Sequence, residues 1–169
     1  MAKSEDNQQV VNILADMVDF AVRVISSCFY LGYLPLIPGT FASLAGVFIF
    51  FLVRGSLAAH IILTLILIIL GFTVSSRAER IFEKKDARYI VIDEVSGMLI
   101  SFLFVPFDLR VVIIGFFLFR ILDTFKPYPA DRIQEFKGSI GVMGDDITAG
   151  VYTNIILQVV VRLTSFNIS

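Results

Sequence analysis

The chain alternates long apolar runs with short polar connections. A polar stretch of mixed charge opens it, and apolar segments follow at residues 18–33, 41–53, 57–74, 98–105, 111–122 and 147–163. The run 57–74 holds 18 residues without a charge, close to the ~20 that a helix needs to cross a bilayer. The other runs are shorter, which a tilted, compact bundle or polar helix extensions would accommodate. The five prolines, Pro35, Pro38, Pro106, Pro127 and Pro129, all lie between apolar runs. Proline belongs at helix ends rather than interiors, so this punctuation predicts helices and not strands. Pro106-Phe107-Asp108 reads as a turn. Asp19 and Arg23 are four apart and placed to pair on a helix face, so segment 18–33 either spans or lies flat in the interface. The expected fold is all-α: a compact multi-helix membrane bundle of about five or six apolar helices. Residues 1–17 form a polar extension and residues 18–169 a single domain. A soluble all-helical protein with a large core is the alternative.

Composition strengthens the membrane reading. Hydrophobic residues make up 57% of the 169, above the roughly 45–50% of soluble domains, and mean hydropathy is +0.85. Net charge is −1 with Lys and Arg dispersed, so the basic stripe of a nucleic-acid-binding protein is absent. A basic start followed by an apolar core is also missing, which argues against a secretory signal. The single cysteine, Cys28, excludes an internal disulfide and multi-Cys zinc sites. It cannot open a Cys-x5-Arg phosphate loop, because position 34 is Leu34. The single histidine, His60, makes phosphohistidine chemistry and serine triads poor readings. What remains is oxygen-ligand chemistry around a hard cation.

The charges fall on one side. If segment 41–53 and those after it each cross, connections 34–40, 75–94 and 120–146 share a face. That face carries Arg77, Arg80, Lys84, Lys85, Arg88, Arg120, Lys126, Arg132 and Lys137, whereas the opposite one carries Arg54, Arg110 and Arg162. The positive-inside rule assigns the first face to the cytoplasm. Two acidic pairs, Asp93-Glu94 and Asp145-Asp146, lie on that same face. An isolated carboxylate at a helix centre in hydrocarbon costs roughly 2.5 kcal/mol or more, so acids at these positions need a partner, water or a cation.

Four constellations carry the chemistry. In Pro38-Gly39-Thr40, Thr40 is placed to cap a helix beginning at Phe41, and Gly39 permits close backbone approach. Free N–H groups there would attract phosphate, and Ser43 adds a hydroxyl one turn on. Asp93 and Glu94 are adjacent and cannot both point to one helix face, so one is read as a metal ligand and the other as acting through water or a partner. Arg120 and Asp123 share a face at i, i+3. Lys126-Pro127 then ends that helix, a cation–carboxylate–cation series suited to an anionic headgroup. Gly138, Gly141 and Gly144 lead as a tight loop into Asp145 and Asp146, which open the last helix.

On these residues the chain resembles the phosphatidylglycerophosphatase A family. The matching stretches are Gly32-Tyr33-Leu34-Pro35 with Pro38-Gly39-Thr40-Phe41-Ala42-Ser43-Leu44, then Val91-Ile92-Asp93-Glu94. Phe119-Arg120, Asp123, Lys126-Pro127 and Pro129 follow, and residues 141–151 complete the set. Ala42, Ser96, Thr124 and Tyr128 depart from commoner choices at uncharged positions, affecting packing or headgroup fit. The resemblance implies a Mg²⁺-dependent phosphatase of the bacterial cytoplasmic membrane, multi-pass, with its active face in the cytoplasm. It would convert phosphatidylglycerophosphate to phosphatidylglycerol, in contact with membrane lipids and without nucleic acid. It also implies that Asp93, Asp145 and Asp146 hold the metal, with Glu94 a further ligand or base. Asp123 would ligate or position water, Arg120 and Lys126 would bind phosphate, and Gly39, Thr40 and Ser43 would hold the phosphate or glycerol. Direct attack by water is the favoured route. Competing readings are a non-catalytic anionic-lipid-binding membrane protein, an ion-coupled transporter, or a lipid phosphotransferase, whose multi-Asp helix motif is absent here.

Overall fold

A computed structural model of the chain describes residues 2–164, with side chains from residue 7. Domain limits at residue 1 and at residues 165–169 lie outside the described residues. Among the described residues seven α-helices follow in order: α1 Ala2–Ser26, α2 Pro38–Val53, α3 Leu57–Ile81, α4 Ile92–Ser101, α5 Leu109–Phe125, α6 Ala130–Gln134 and α7 Ser139–Leu163. No strand occurs among the described residues. The all-helical expectation therefore holds. Among the described residues two helices, α3 and α7, are long and apolar enough to cross a membrane, and α2 is a shorter apolar helix.

Local chemistry sets several boundaries. Pro38 opens α2, where its missing N–H costs nothing. The Ser56 hydroxyl accepts from the Ala59 N–H at 3.3 Å and caps α3. The Asp108 carboxylate accepts from the Arg110 N–H at 2.8 Å and caps α5. Lys126 ends α5 in the left-handed region at φ 44°, and Pro127 follows.

Helix α4 is the centre of the bundle. It packs on α7, α2 and α3, and each of its residues except Glu94 is buried. Its ten residues rise only about 15 Å, too short to span alone. Phe102 at its C-terminal end stacks on Phe50 of α2 at 4.7 Å. Phe119, Met98, Leu99 and Leu157 fill the surrounding core. Small residues allow this close packing, as is usual where hydrocarbon gives helices no hydrophobic drive to associate. Gly97 of α4 meets the α7 backbone at Asp146 and Gly150, and Gly46 of α2 receives Met98. Apolar side chains also face outward: Ile62, Leu65, Ile66, Ile69 and Phe72 of α3 are exposed, as a lipid-facing surface would be.

Three local expectations are corrected. Asp19 does not pair with Arg23; its carboxylate binds Arg77 of α3 at 2.8 Å, while Arg23 lies over the Phe82 ring. Tertiary partners outcompeted the i, i+4 neighbour because α1 packs along α3. Thr40 is no cap: α2 starts at Pro38, three residues earlier than expected, with Ile37 at its N-cap and no side-chain bond there. Nor do Asp145 and Asp146 open the last helix. Helix α7 begins at Ser139, so the glycine-rich stretch is its first turns. Its start is held from another helix, the Ser139 N–H donating to Ser76 Oγ at 2.8 Å and the Ser76 N–H to Ser139 Oγ at 3.0 Å. His60 has a structural place, buried with Nε2 3.0 Å from the Leu99 carbonyl.

A carboxylate-lined candidate active site

Three helices bring acids to one point. Asp93 and Glu94 stand in the first turn of α4, and Asp146 in the second turn of α7. One oxygen from each of Asp93, Glu94 and Asp146 lies within 4.8 Å of the others. Asp93 and Asp146 are 5% and 3% exposed. Asp123 of α5 faces the same cluster, close enough for its charge to act on Asp146. The Gly97–Asp146 backbone contact sets this geometry, because α4 and α7 cross where Gly97 has no side chain.

Cations and hydroxyls ring the acids. The Arg120 guanidinium donates to Asp123 at 2.8 Å and reaches Ser43 Oγ at 3.5 Å. Ser43 Oγ donates to the Gly39 carbonyl at 2.9 Å. Gly39 lies so close to Glu94 and Arg120 that a Cβ there would stand 3.3 Å from Glu94 Cδ and 3.4 Å from Arg120 Nη1. Thr40, half-buried, is the next residue in the same turn. Lys126 donates to Asp145, which thereby lies apart from the group of three. The sequence-predicted residues thus assemble, with Asp145 held as an ion-pair partner and Asp93, Glu94 and Asp146 as the tight triad. Asp86 was not foreseen. Its charge acts on both Asp93 and Asp145; its only sequence signal was a place in the basic connection 75–94.

The electrostatics call for more positive charge. Burial first, then the charge of Glu94, holds the Asp93 carboxyl well above the usual range, and Asp146 and Asp86 add to this. Glu94 is also raised, mainly by burial, although hydrogen bonding with Asp93 and the Arg120 charge oppose it. Burial acts to lower the Lys126 ammonium, but the bond to Asp145 and the nearby carboxylates win and raise it. Among the described residues, two buried carboxylate oxygens, Glu94 Oε2 and Asp145 Oδ1, have no hydrogen-bond partner. Buried acceptors are normally satisfied. Oxygen-only donors, excess negative charge and an orphaned carboxylate oxygen fit a hard divalent cation.

The sequence profile of the phosphatidylglycerophosphatase A family matches residues 24–161. The chain belongs to that family. It is accordingly an enzyme, a phosphatase of the phosphatidylglycerophosphatase type. Among curated relatives, the phosphatidylglycerophosphatase A of Escherichia coli is 34% identical over 71% of this chain and 72% of its own length. That of Haemophilus influenzae is 28% identical over 80% and 86%. A Bacteroides thetaiotaomicron protein named "Putative phosphatidylinositol-3-phosphatase" is 35% identical over 83% and 93%. No solved structure matches the chain. The family, the two long apolar helices and the outward apolar surface agree on membrane association.

Proposed function

We propose that the chain hydrolyses the terminal phosphomonoester of phosphatidylglycerophosphate, giving phosphatidylglycerol and inorganic phosphate, and that it depends on Mg²⁺. The observation that carries this reading is the Asp93–Glu94–Asp146 triad beside two basic side chains. Asp93, Glu94 and Asp146 would hold the cation, with Asp145 and Asp123 flanking. When bound, the cation supplies neutralisation of the phosphoryl oxygens and a more acidic water. Arg120 and Lys126, each about a quarter exposed at the side chain, bind the phosphate and offset the charge spread over its oxygens. Asp123 and Asp145 hold those cations in place. Glu94, with one oxygen unpartnered, takes a proton from the attacking water. The water oxygen bonds to phosphorus, the bond from phosphorus to the glycerol oxygen breaks, and the proton returns to that oxygen. Gly39 and Thr40 line the phosphate or glycerol.

The site is proposed to face the cytoplasm of a bacterial inner membrane, with several helices crossing, because the basic connections share its side. A second reading has one specific support. The relative covered over 93% of its length carries a phosphoinositide phosphatase name, so a 3-phosphoinositide is the competing headgroup. Phosphate release from phosphatidylglycerophosphate and from phosphatidylinositol 3-phosphate, with EDTA and after Mg²⁺ is restored, tests both. The proposal expects release from the first lipid, lost in EDTA and recovered with Mg²⁺. Release unaffected by EDTA would sink the metal reading, and preference for the inositol lipid would replace the substrate.

A further inference from the structure

An apolar groove of about 330 Å³ opens beside the carboxylates. Its walls come from Cys28 after α1, Ala45 and Ile49 of α2, Leu67 of α3, and Ile92 and Val95 of α4. Its volume lies within the range of small-ligand sites, roughly 300–1,000 Å³. Two observations say what occupies it. First, the groove and the site share two helices, α4 and α2: Ala45 and Ile49 of the groove follow Gly39 and Ser43 of the site on α2. Ile92 and Val95 bracket Asp93 and Glu94 on one helix. Cys28 and Ile49 pack with Val95 in one apolar cluster. Second, the rim is built for a lipid surface. Phe29, which lines the groove, is 84% exposed, and Leu36, outside the groove but three residues before Gly39, is 90% exposed. Exposed large apolar side chains at that end place hydrocarbon beside the headgroup-binding residues.

We propose that this groove holds one acyl chain of the phospholipid whose phosphate the site removes. The inference rests on the lipid phosphatase reading and deepens it. A phosphomonoester headgroup at Arg120 and Lys126 leaves its diacylglycerol portion to be accommodated, and the groove is an apolar path walled by Ile92 and Val95, the residues on either side of Asp93 and Glu94 in α4. The chain enters from bilayer hydrocarbon, so seating it yields little hydrophobic gain. Its contribution is orientation: an anchored chain fixes the phosphorus against the acids.

The test uses the full-length protein in detergent micelles. Ala45→Phe fills the groove without touching a charged residue. The expected result is a roughly tenfold or greater rise in KM for long-chain phosphatidylglycerophosphate, with slow hydrolysis of a chain-free glycerophosphate left at the wild-type rate. Equal effects on both substrates, or none, overturn the proposal. A binding readout independent of turnover exploits the absence of tryptophan from the sequence. In Ile49→Trp, phosphatidylglycerophosphate with brominated chains should quench fluorescence at lower mole fraction than brominated phosphatidylcholine. Equal quenching by the two lipids means ordinary surrounding lipid, and the groove assignment falls. If no substrate releases phosphate while selective quenching persists, the catalytic reading fails and the groove stands.

Discussion

Gly97→Ala probes the contact that aligns the clustered acids proposed to hold the cation. A Cβ at position 97 would stand 2.7 Å from the Asp146 carbonyl oxygen and 2.8 and 2.9 Å from Phe119 Cε2 and Cζ. A carbon–oxygen contact settles at about 3.3–3.6 Å, so the deficit is roughly 0.6–0.9 Å. Neither obstacle yields easily, one being α7 backbone and the other the ring of fully buried Phe119. Overpacking of this kind costs about 1–3 kcal/mol. Alanine recovers about 1 kcal/mol of helix propensity relative to glycine. Net destabilisation is therefore at most about 2 kcal/mol, a fall in Tm of under about 8 °C for a chain of this size. The effect on chemistry is larger, since Asp146 itself moves: a displacement near 1 Å costs about 100-fold in rate. Phosphate release and thermal melts on the same detergent-solubilised protein separate the two effects. Gly55→Ala, where a Cβ meets nothing within 4 Å, is the control and should change neither. Activity of Gly97→Ala within about threefold of wild type would refute the claim that this crossing sets the acid geometry.

Asp93→Asn and Asp146→Asn should each lower Mg²⁺-supported phosphate release by at least about 100-fold. Asp93→Asn should also raise the melting temperature in EDTA, because burial and neighbouring acids disfavour the Asp93 charge; near-normal release from either would dismiss the triad as a metal cradle. Lys126→Met leaves Asp145, 6% exposed at its side chain, without its partner, and should cost about 3 kcal/mol in chemical denaturation. Adding Asp145→Leu should restore stability but not turnover, since the proposed Lys126–phosphate contact stays lost. Asp108 gives a pH signature at the far end of α5. Hydrogen bonding from Arg110 holds its carboxyl down at about 2, against an ordinary 3.8. A depressed folded value stabilises above the unfolded one and is lost as pH falls through the folded one. Melts of wild type and Asp108→Asn should therefore differ at about pH 5 and converge near pH 2.

Much of this protein was written in its linear pattern. Apolar runs punctuated by proline determined helices rather than strands, because 3.6-residue periodicity and proline's missing N–H act locally. The Arg120–Asp123 pair was legible for the same reason, i and i+3 sharing a helix face. Scarcity of His and Cys, with acids beside apolar runs, left hard-cation chemistry as the natural reading. Tertiary structure decided the rest. Asp19 chose Arg77 over its helical neighbour, and Ser76 held the start of α7 across 63 residues, so that helix began earlier than its local pattern indicated. Which acids form the triad and which becomes Lys126's partner depends on how α4, α5 and α7 cross. Those crossings rest on glycines whose empty Cβ positions carry meaning only when another backbone arrives. Local sequence specifies a residue's own conformation and its neighbours within a turn; distances between helices belong to the packed molecule.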